Sequence, residues 1–219
     1  MLKVLPVIHY LDEDKAIQNA EIVLSLGCDG IFIISMDRQD EHLCAIAKNI
    51  KNRWPDKFVG VNHLTKSPLE SLKLNKSAEI DGTWSDYSIL QEGKPTADAL
   101  TISQEKTWME FFAAVAFKYQ KAEKDPGTAA VLVQQLGLIP TTSGSATGKA
   151  APVEKLHLIR QTMPDGPLAI ASGITPDNAP IFAPYITHVL VATGISDDEY
   201  TFSRDKTMSL LNNLAPFRN

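Results

Sequence analysis

The sequence has no surplus of basic charge: 21 Lys and Arg stand against 26 Asp and Glu, a formal charge of −5 over 219 residues. With no basic run to displace counterions, a nucleic-acid partner gripped through its phosphates is not expected. Long apolar runs are missing too. None approaches the ~20 residues that a membrane-spanning helix needs. Met1–Lys3 leads through a short apolar stretch to His9 and the acidic Asp12–Asp14, which is not the pattern of a signal peptide. Cysteine is limited to Cys28 and Cys44, too few for a disulfide framework and not at metal-ligand spacing. They read as buried, reduced thiols in a cytoplasmic protein. There is no His-x-His pair, no acidic cluster and no cofactor motif, so neither a metal nor a cofactor is expected. Polar low-complexity stretches are absent, which excludes disorder as the chain's organising state.

What is present is a chain that is 44% hydrophobic, long enough to bury a substantial core as one domain over residues 1–219. Its apolar residues alternate between short continuous runs and helical spacing, eight times over. The runs are Val4–Ile8, Gly30–Ile34, Phe58–Leu64, Ile80–Asp86, Phe111–Phe117, Leu138–Thr142, Leu168–Ala171 and Val189–Ala192. Between them lie helical segments with recognisable punctuation. One starts near Asp14 and stops at Gly27, one starts near a cap at Asp40, and one starts at Ser67-Pro68. Others open at Asp125-Pro126, at Pro152 and at Thr175-Pro176, and Ser203–Leu214 closes the chain. Strands apolar on both faces and joined by helices are parallel strands covered by helices. Eight such units fit a (β/α)8 TIM barrel. A doubly wound sheet would carry a glycine-rich turn after its first strand, and the turn after Ile8 has no glycine. Asp29-Gly30 and Asp81-Gly82 precede strands two apart, a faint internal repeat. The long connection from Tyr87 to Met109 has the length of a segment that covers a site.

A barrel of this kind works at the C-terminal ends of its strands. The polar residues there are His9, Ser35, Asp37, Asn62, His63, Asp86, Lys118, Thr142, Ser143, Ser172 and Thr193. After the last three strands come TTSGSATGK (141–149), ASGITP (171–176) and ATGIS (192–196). Glycines that let backbone N–H groups converge, with hydroxyls beside them, are what a phosphate needs. Ser143, Gly144, Ser145, Gly148, Ser172, Gly173, Thr193 and Gly194 are therefore the candidate phosphate ligands, although each glycine alone could equally serve a tight turn. Lys118 could neutralise a phosphate or carboxylate, act as acid or base, form a Schiff base, or simply extend into solvent. Asp86, with Asp37 second, could be a base or a loop cap. His9 could transfer a proton or pack. Alternation along the strand sends one of Asn62 and His63 inward and the other outward.

The stretches Val7–Ile33, Phe58–Leu64 and above all Thr141–Ser196 resemble the BtpA/SgcQ family of barrel proteins. In that family the last strands read like a VTG-x-ATG turn, a leucine-rich helix, a GSGVTPEN turn and a VGT strand. The resemblance implies a relation to the phosphate-binding barrels of tryptophan and histidine biosynthesis. It supplies no agreed reaction, and one branch is associated with photosystem I biogenesis. The departures fall in the middle of the chain. Where the family's fifth strand reads like DVHVKH, this chain keeps Lys118 but has Ala114, Ala116 and Tyr119. Trp84 and Asp86 stand where Asn and His are usual, and Leu11–Asp14 replaces a proline-rich loop. The combined expectation is an isomerase- or lyase-type enzyme acting on a small phosphorylated metabolite, a phosphoribosyl or sugar-phosphate compound. Lys118 and Asp86 would be its acid/base pair, with His9 and Asn62 orienting the substrate. The alternative is a barrel that binds a metabolite or aids assembly without turnover. Association into homo-oligomers through the helices is compatible with either.

Overall fold

The computed structural model describes residues 1–120 and 125–218. Its strands are β1 (Lys3–His9), β2 (Gly30–Ile34), β3 (Phe58–Asn62), β4 (Gly82–Ser85), β5 (Glu110–Ala114), β6 (Ile139–Ser143), β7 (Ala169–Ala171) and β8 (His188–Val191). Each pairs in parallel with its sequence neighbours, and β8 returns to pair with β1. Helices α1 (Glu13–Ser25), α2 (Leu43–Arg53), α3 (Pro68–Ser77), α4 (Ala97–Glu105), α5 (Pro126–Gln135), α6 (Val153–Thr162), α7 (Ala179–Phe182) and α8 (Arg204–Leu214) follow the strands in turn. The fold is a (β/α)8 barrel. Among the described residues, no helix is long and apolar enough to cross a membrane.

Alternation along the strands sorts the apolar side chains into two layers. Ile8, Ile31, Ile33, Val59 and Val61 face the helices, while Leu5, Phe32, Phe112 and Leu190 fill the barrel. Inside, the Phe32 ring meets Phe112 and Phe58 edge to face, with centroids 5.0 and 5.4 Å away. Each fully buried ring stabilises the fold by about 2 kcal/mol. Gly60 makes room for them, since a Cβ there would lie 2.2 Å from the Phe32 ring.

The helix starts follow their caps. Ser67 and Glu70 form a reciprocal capping box ahead of Pro68. The Asp125 carboxylate accepts from the Thr128 amide at 3.0 Å. The repeated Asp-Gly pair has a repeated role: Asp29 Oδ2 accepts from the Val4 amide and Asp81 Oδ2 from the Val59 amide, at 2.7 and 2.8 Å. In each case the carboxylate before an even-numbered strand satisfies an amide of the odd-numbered strand preceding it.

Three expectations need correction. The fifth apolar run ends as a strand at Ala114, because Ala116 turns into the left-handed region at φ +47°. Lys118 therefore sits four residues past β5, on the loop. Asp40 does not cap α2. Its Oδ2 accepts instead from the amide and hydroxyl of Thr65, at 2.6 and 2.7 Å, tying the β2 and β3 loops together. Thr175, by contrast, does cap the turn that leads into α7: its Oγ1 accepts from the Asn178 amide at 3.3 Å, Asn178 Oδ1 accepts from the Thr175 amide at 2.8 Å, and the Thr175 carbonyl accepts the Ala179 amide. The connection from Tyr87 to Met109 holds a small hairpin and the ordinary barrel helix α4, which buries Ala99 and Ile102. None of its residues lines the cleft described below.

Candidate functional site

The loops after β6, β7 and β8 interlock at the C-terminal rim. A Cβ on Gly144 would lie 2.0 Å from the Lys149 carbonyl oxygen, and one on Gly173 would lie 2.0 Å from the Ala150 amide nitrogen. A Cβ on Gly194 would meet the Ile174 carbonyl oxygen at 1.8 Å. The glycines are therefore required by loop-on-loop packing, whatever lies above them. That packing joins three loops into one floor. Among the described residues, the amides of Gly173, Ile174, Thr193 and Gly194 have no protein acceptor.

Beside this floor opens a cleft of about 500 Å³, its mouth included, lined by His9, Ile34, Trp84, Lys118, Gly148 and Ser172 among others. Gly173 and Thr193 also line it; Ser143, Gly144, Ser145 and Gly194 do not. Ser143 is fully buried, where its Oγ accepts from the Lys118 amide at 2.8 Å and donates to the Gly144 carbonyl. Ser145 is exposed on the outer side of its loop. Ser172 has a φ of +71° although it carries a side chain. Such strain persists only where the surroundings impose it, and it concentrates at functional positions.

Lys118 reaches back over the cleft. Its Nζ donates to Thr147 Oγ1 at 3.3 Å and to Ser172 Oγ at 3.5 Å, and it lies 5.6 Å from the Phe117 ring centroid. Among the described residues no carboxylate comes within ion-pair range of it. An ammonium held by neutral hydroxyls beside unbonded amides favours an anion between them.

A residue absent from the sequence reading supports this arrangement. Lys155, on α6, donates from Nζ to the Ser143 carbonyl at 2.6 Å and to the Ala116 carbonyl at 2.9 Å. It pins the loop that carries Lys118 to the end of β6. Burial lowers its pKa. In sequence Lys155 is an ordinary helix lysine, and only the folding of the β5–α5 loop gives it acceptors.

Asp86 and Asn62 lie at the same rim but outside the lining of the cleft. Asn62 Nδ2 donates to Asp86 Oδ1 at 3.0 Å. Burial raises the Asp86 pKa, against the opposing pull of Lys118 and the Asn62 hydrogen bond. His9, at the end of β1, has its pKa lowered by burial, with the Glu199 carboxylate pulling the other way. Its Nδ1 is buried without a partner. A carboxyl whose pKa burial raises and an imidazole whose pKa burial lowers are the rim groups suited to proton transfer.

The remaining candidates are placed elsewhere. Ser35 is buried, and its Oγ accepts from the Gln39 amide; Asp37 is exposed. His63 points outward as alternation requires, bonding Asn75 Oδ1 at 2.9 Å with Cys44 Sγ 3.6 Å away. Burial pushes the Cys44 thiol up to about 11 and the Cys28 thiol up to about 12. Neither is a ready nucleophile.

No family model matches the chain, and no curated protein does. Solved structures match its fold along nearly the full length. Phosphoribosyl anthranilate isomerase from Thermus thermophilus superposes with a TM-score of 0.70 at 14% identity, covering 99% of this chain and 100% of its own. KGPDC from Streptococcus mutans gives 0.75 at 11% identity, with both chains covered completely. A 3-hexulose-6-phosphate synthase gives 0.71 at 15% identity, covering 97% of this chain and 99% of its own. At such identities the likeness shows the barrel.

Proposed function

We propose that the cleft holds the phosphate of a small phosphorylated metabolite, such as a phosphoribosyl or sugar-phosphate compound, and that the rim groups carry out isomerase- or lyase-type proton transfer on it in the cytoplasm. The carrying observation is Lys118 Nζ, bonded among the described residues to the Thr147 and Ser172 hydroxyls alone, beside a floor of amides that have no acceptor among those residues. The phosphate-bearing compounds in the names of two of the similar barrels support the same reading. So does the resemblance to BtpA/SgcQ proteins, which is strongest over these three loops.

In this reading Lys118 belongs to the phosphate end rather than to the acid/base pair, which its bonds to Thr147 and Ser172 support. Asp86 is then the base, taking a proton from carbon and returning it to a neighbouring atom. Asn62 holds one carboxylate oxygen, and neutral His9 stands ready to hydrogen-bond an oxygen that gains charge. A carboxylate in this role contributes roughly 10²–10⁴-fold in rate. Ser143 and Gly144 support the floor; Gly148, Ser172, Gly173 and Thr193 are the contacts.

Thermal-shift titration with inorganic phosphate and with ribose 5-phosphate tests the binding, and solvent-deuterium incorporation followed by NMR tests the proton transfer. Lys118→Ala is expected to weaken phosphate binding about tenfold or more. Asp86→Asn is expected to stop deuterium incorporation while phosphate still binds. A protein whose melting temperature ignores every phosphate compound would sink the reading.

A second reading, binding without turnover, is favoured by one observation. The inward-facing ends of β2, β5 and β7 are Ile34, Ala114 and Ala171, none of which can react. Phosphate binding with no exchange in any ligand would support it.

A further inference from the structure

The phosphate reading leaves open what the rest of the ligand is, and the walls of the cleft bear on that. Resting on the phosphate site of that reading, and replacing its sugar, we propose that the group esterified to the phosphate is an apolar, unsaturated one of aryl size, rather than a bare polyhydroxylated chain. Polar groups are gathered at one end of the cleft, in Lys118, Thr147, Ser172 and Thr193. The apolar side chains of the lining that face the barrel interior are Val7, Ile34, Trp84 and Leu190, with the exposed Met36 beside them. The one polar side chain on that wall is His9.

A sugar chain brings about one hydroxyl per carbon, and each hydroxyl buried without a partner costs on the order of 1–3 kcal/mol. His9 Nδ1 can satisfy one of them. The neighbouring Asn62–Asp86 pair already satisfies itself in part and stands outside the lining. An apolar ring makes no such demand and is stabilised by contact with the same walls. Trp84 strengthens the argument. It is only 4% exposed, its Nε1 has no partner among the described residues, and it sits edge to face with Phe117 and Phe32 at centroid distances of 6.1 and 5.8 Å. An aromatic cluster at the base of a cleft accepts another ring at little ordering cost. One carbonyl or carboxylate on that ring would give the Trp84 N–H an acceptor after a small rotation.

The test compares three ligands on the intact protein: inorganic phosphate, phenyl phosphate and ribose 5-phosphate. Isothermal titration is expected to show phenyl phosphate binding roughly tenfold more tightly than ribose 5-phosphate. It should also quench tryptophan fluorescence, because Trp84 lines the cleft while Trp54 and Trp108 do not. Trp84→Ala should erase the preference and leave inorganic phosphate affinity within about twofold. Met36→Ser, a change to an exposed residue of the same lining, should narrow it as well and covers the case in which Trp84→Ala does not fold. Ribose 5-phosphate binding as tightly as phenyl phosphate, with inorganic phosphate also bound, would overturn this inference and leave the phosphate site standing. Binding of none of the three would overturn both.

Discussion

The Asn62 side chain donates from Nδ2 to Asp86 Oδ1 at 3.0 Å, joining the ends of β3 and β4 and leaving Asn62 Oδ1 buried with no partner. The pair sets a stability cost against a chemical use. Burial raises the Asp86 pKa above its ordinary value. A carboxyl shifted upward in the native state adds stability that is fully present below its unfolded pKa and lost as pH rises through its native one. At neutral pH the ionised group therefore works against the fold. Asp86→Asn is expected to raise the melting temperature at pH 7, with the gap closing below about pH 4, while turnover falls at least about 100-fold. Unfolding curves across pH, run beside an exchange assay, check both halves. A variant that is less stable at pH 7 would contradict the electrostatic account.

Ser172 presents a similar conflict at the phosphate end. Its φ of +71° is a conformation in which a side chain costs about 1–2 kcal/mol relative to glycine. Ser172→Gly removes that strain and also removes the hydroxyl 3.5 Å from Lys118 Nζ. Part of the gain is offset by the greater freedom of glycine in the unfolded chain. Chemical denaturation should find the variant at least as stable as the parent, and titration should find inorganic phosphate bound several-fold more weakly. Loss of stability with unchanged affinity would assign Ser172 to architecture.

The barrel is legible in the sequence because its signals are periodic. Runs such as Gly30–Ile34, apolar on both faces, and caps such as Ser67 and Asp125 depend on neighbours in sequence. The end of β5 is not legible, since Phe111–Phe117 is continuously apolar and the left-handed turn at Ala116 is imposed by Lys155 and by the β6 loop. The glycines after β6, β7 and β8 stand out in the sequence for a different reason from the one the structure gives. Sequence shows that a side chain is forbidden there; only the fold shows that the neighbouring loop forbids it. Lys155 carries no sequence signal, because its acceptors are carbonyls 39 and 12 residues away.

Those two carbonyls make Lys155 a positioning residue whose removal can be separated from loss of charge. Lys155→Met keeps much of the buried stem but leaves the Ala116 and Ser143 carbonyls without their donor. A stability loss of about 1–3 kcal/mol is expected. Inorganic phosphate affinity should fall with it, because the loop carrying Lys118 is no longer fixed. Lys155→Arg, which can reach both acceptors, should recover most of the affinity. Equal loss in both variants would mean that the packing of the amine, and not its two hydrogen bonds, holds the loop.

At the opposite end of the barrel, burial lowers the His188 pKa to about 3, with Lys3 and the N-terminal amine adding to the effect. Its Nδ1 is 2.8 Å from Thr187 Oγ1, while Nε2 is buried without a partner. Lys3 is itself paired with Glu110 at 3.1 Å. A histidine with a depressed native pKa contributes stability that is present above its unfolded pKa and is lost as pH falls through the native one. Between pH 6.5 and about 3 the protein should therefore lose stability with a slope approaching roughly 1.4 kcal/mol per pH unit for this one proton. His9 and His63, whose pKa values burial also lowers, add to the same limb. His188→Gln cannot take up a proton and should flatten that limb by about one proton's worth, whatever it does to stability at pH 7. Denaturant unfolding at half-unit pH steps reads the slope directly. An acid limb as steep in the variant as in the parent would show that His188 is already charged in the native barrel, or that other groups carry the transition.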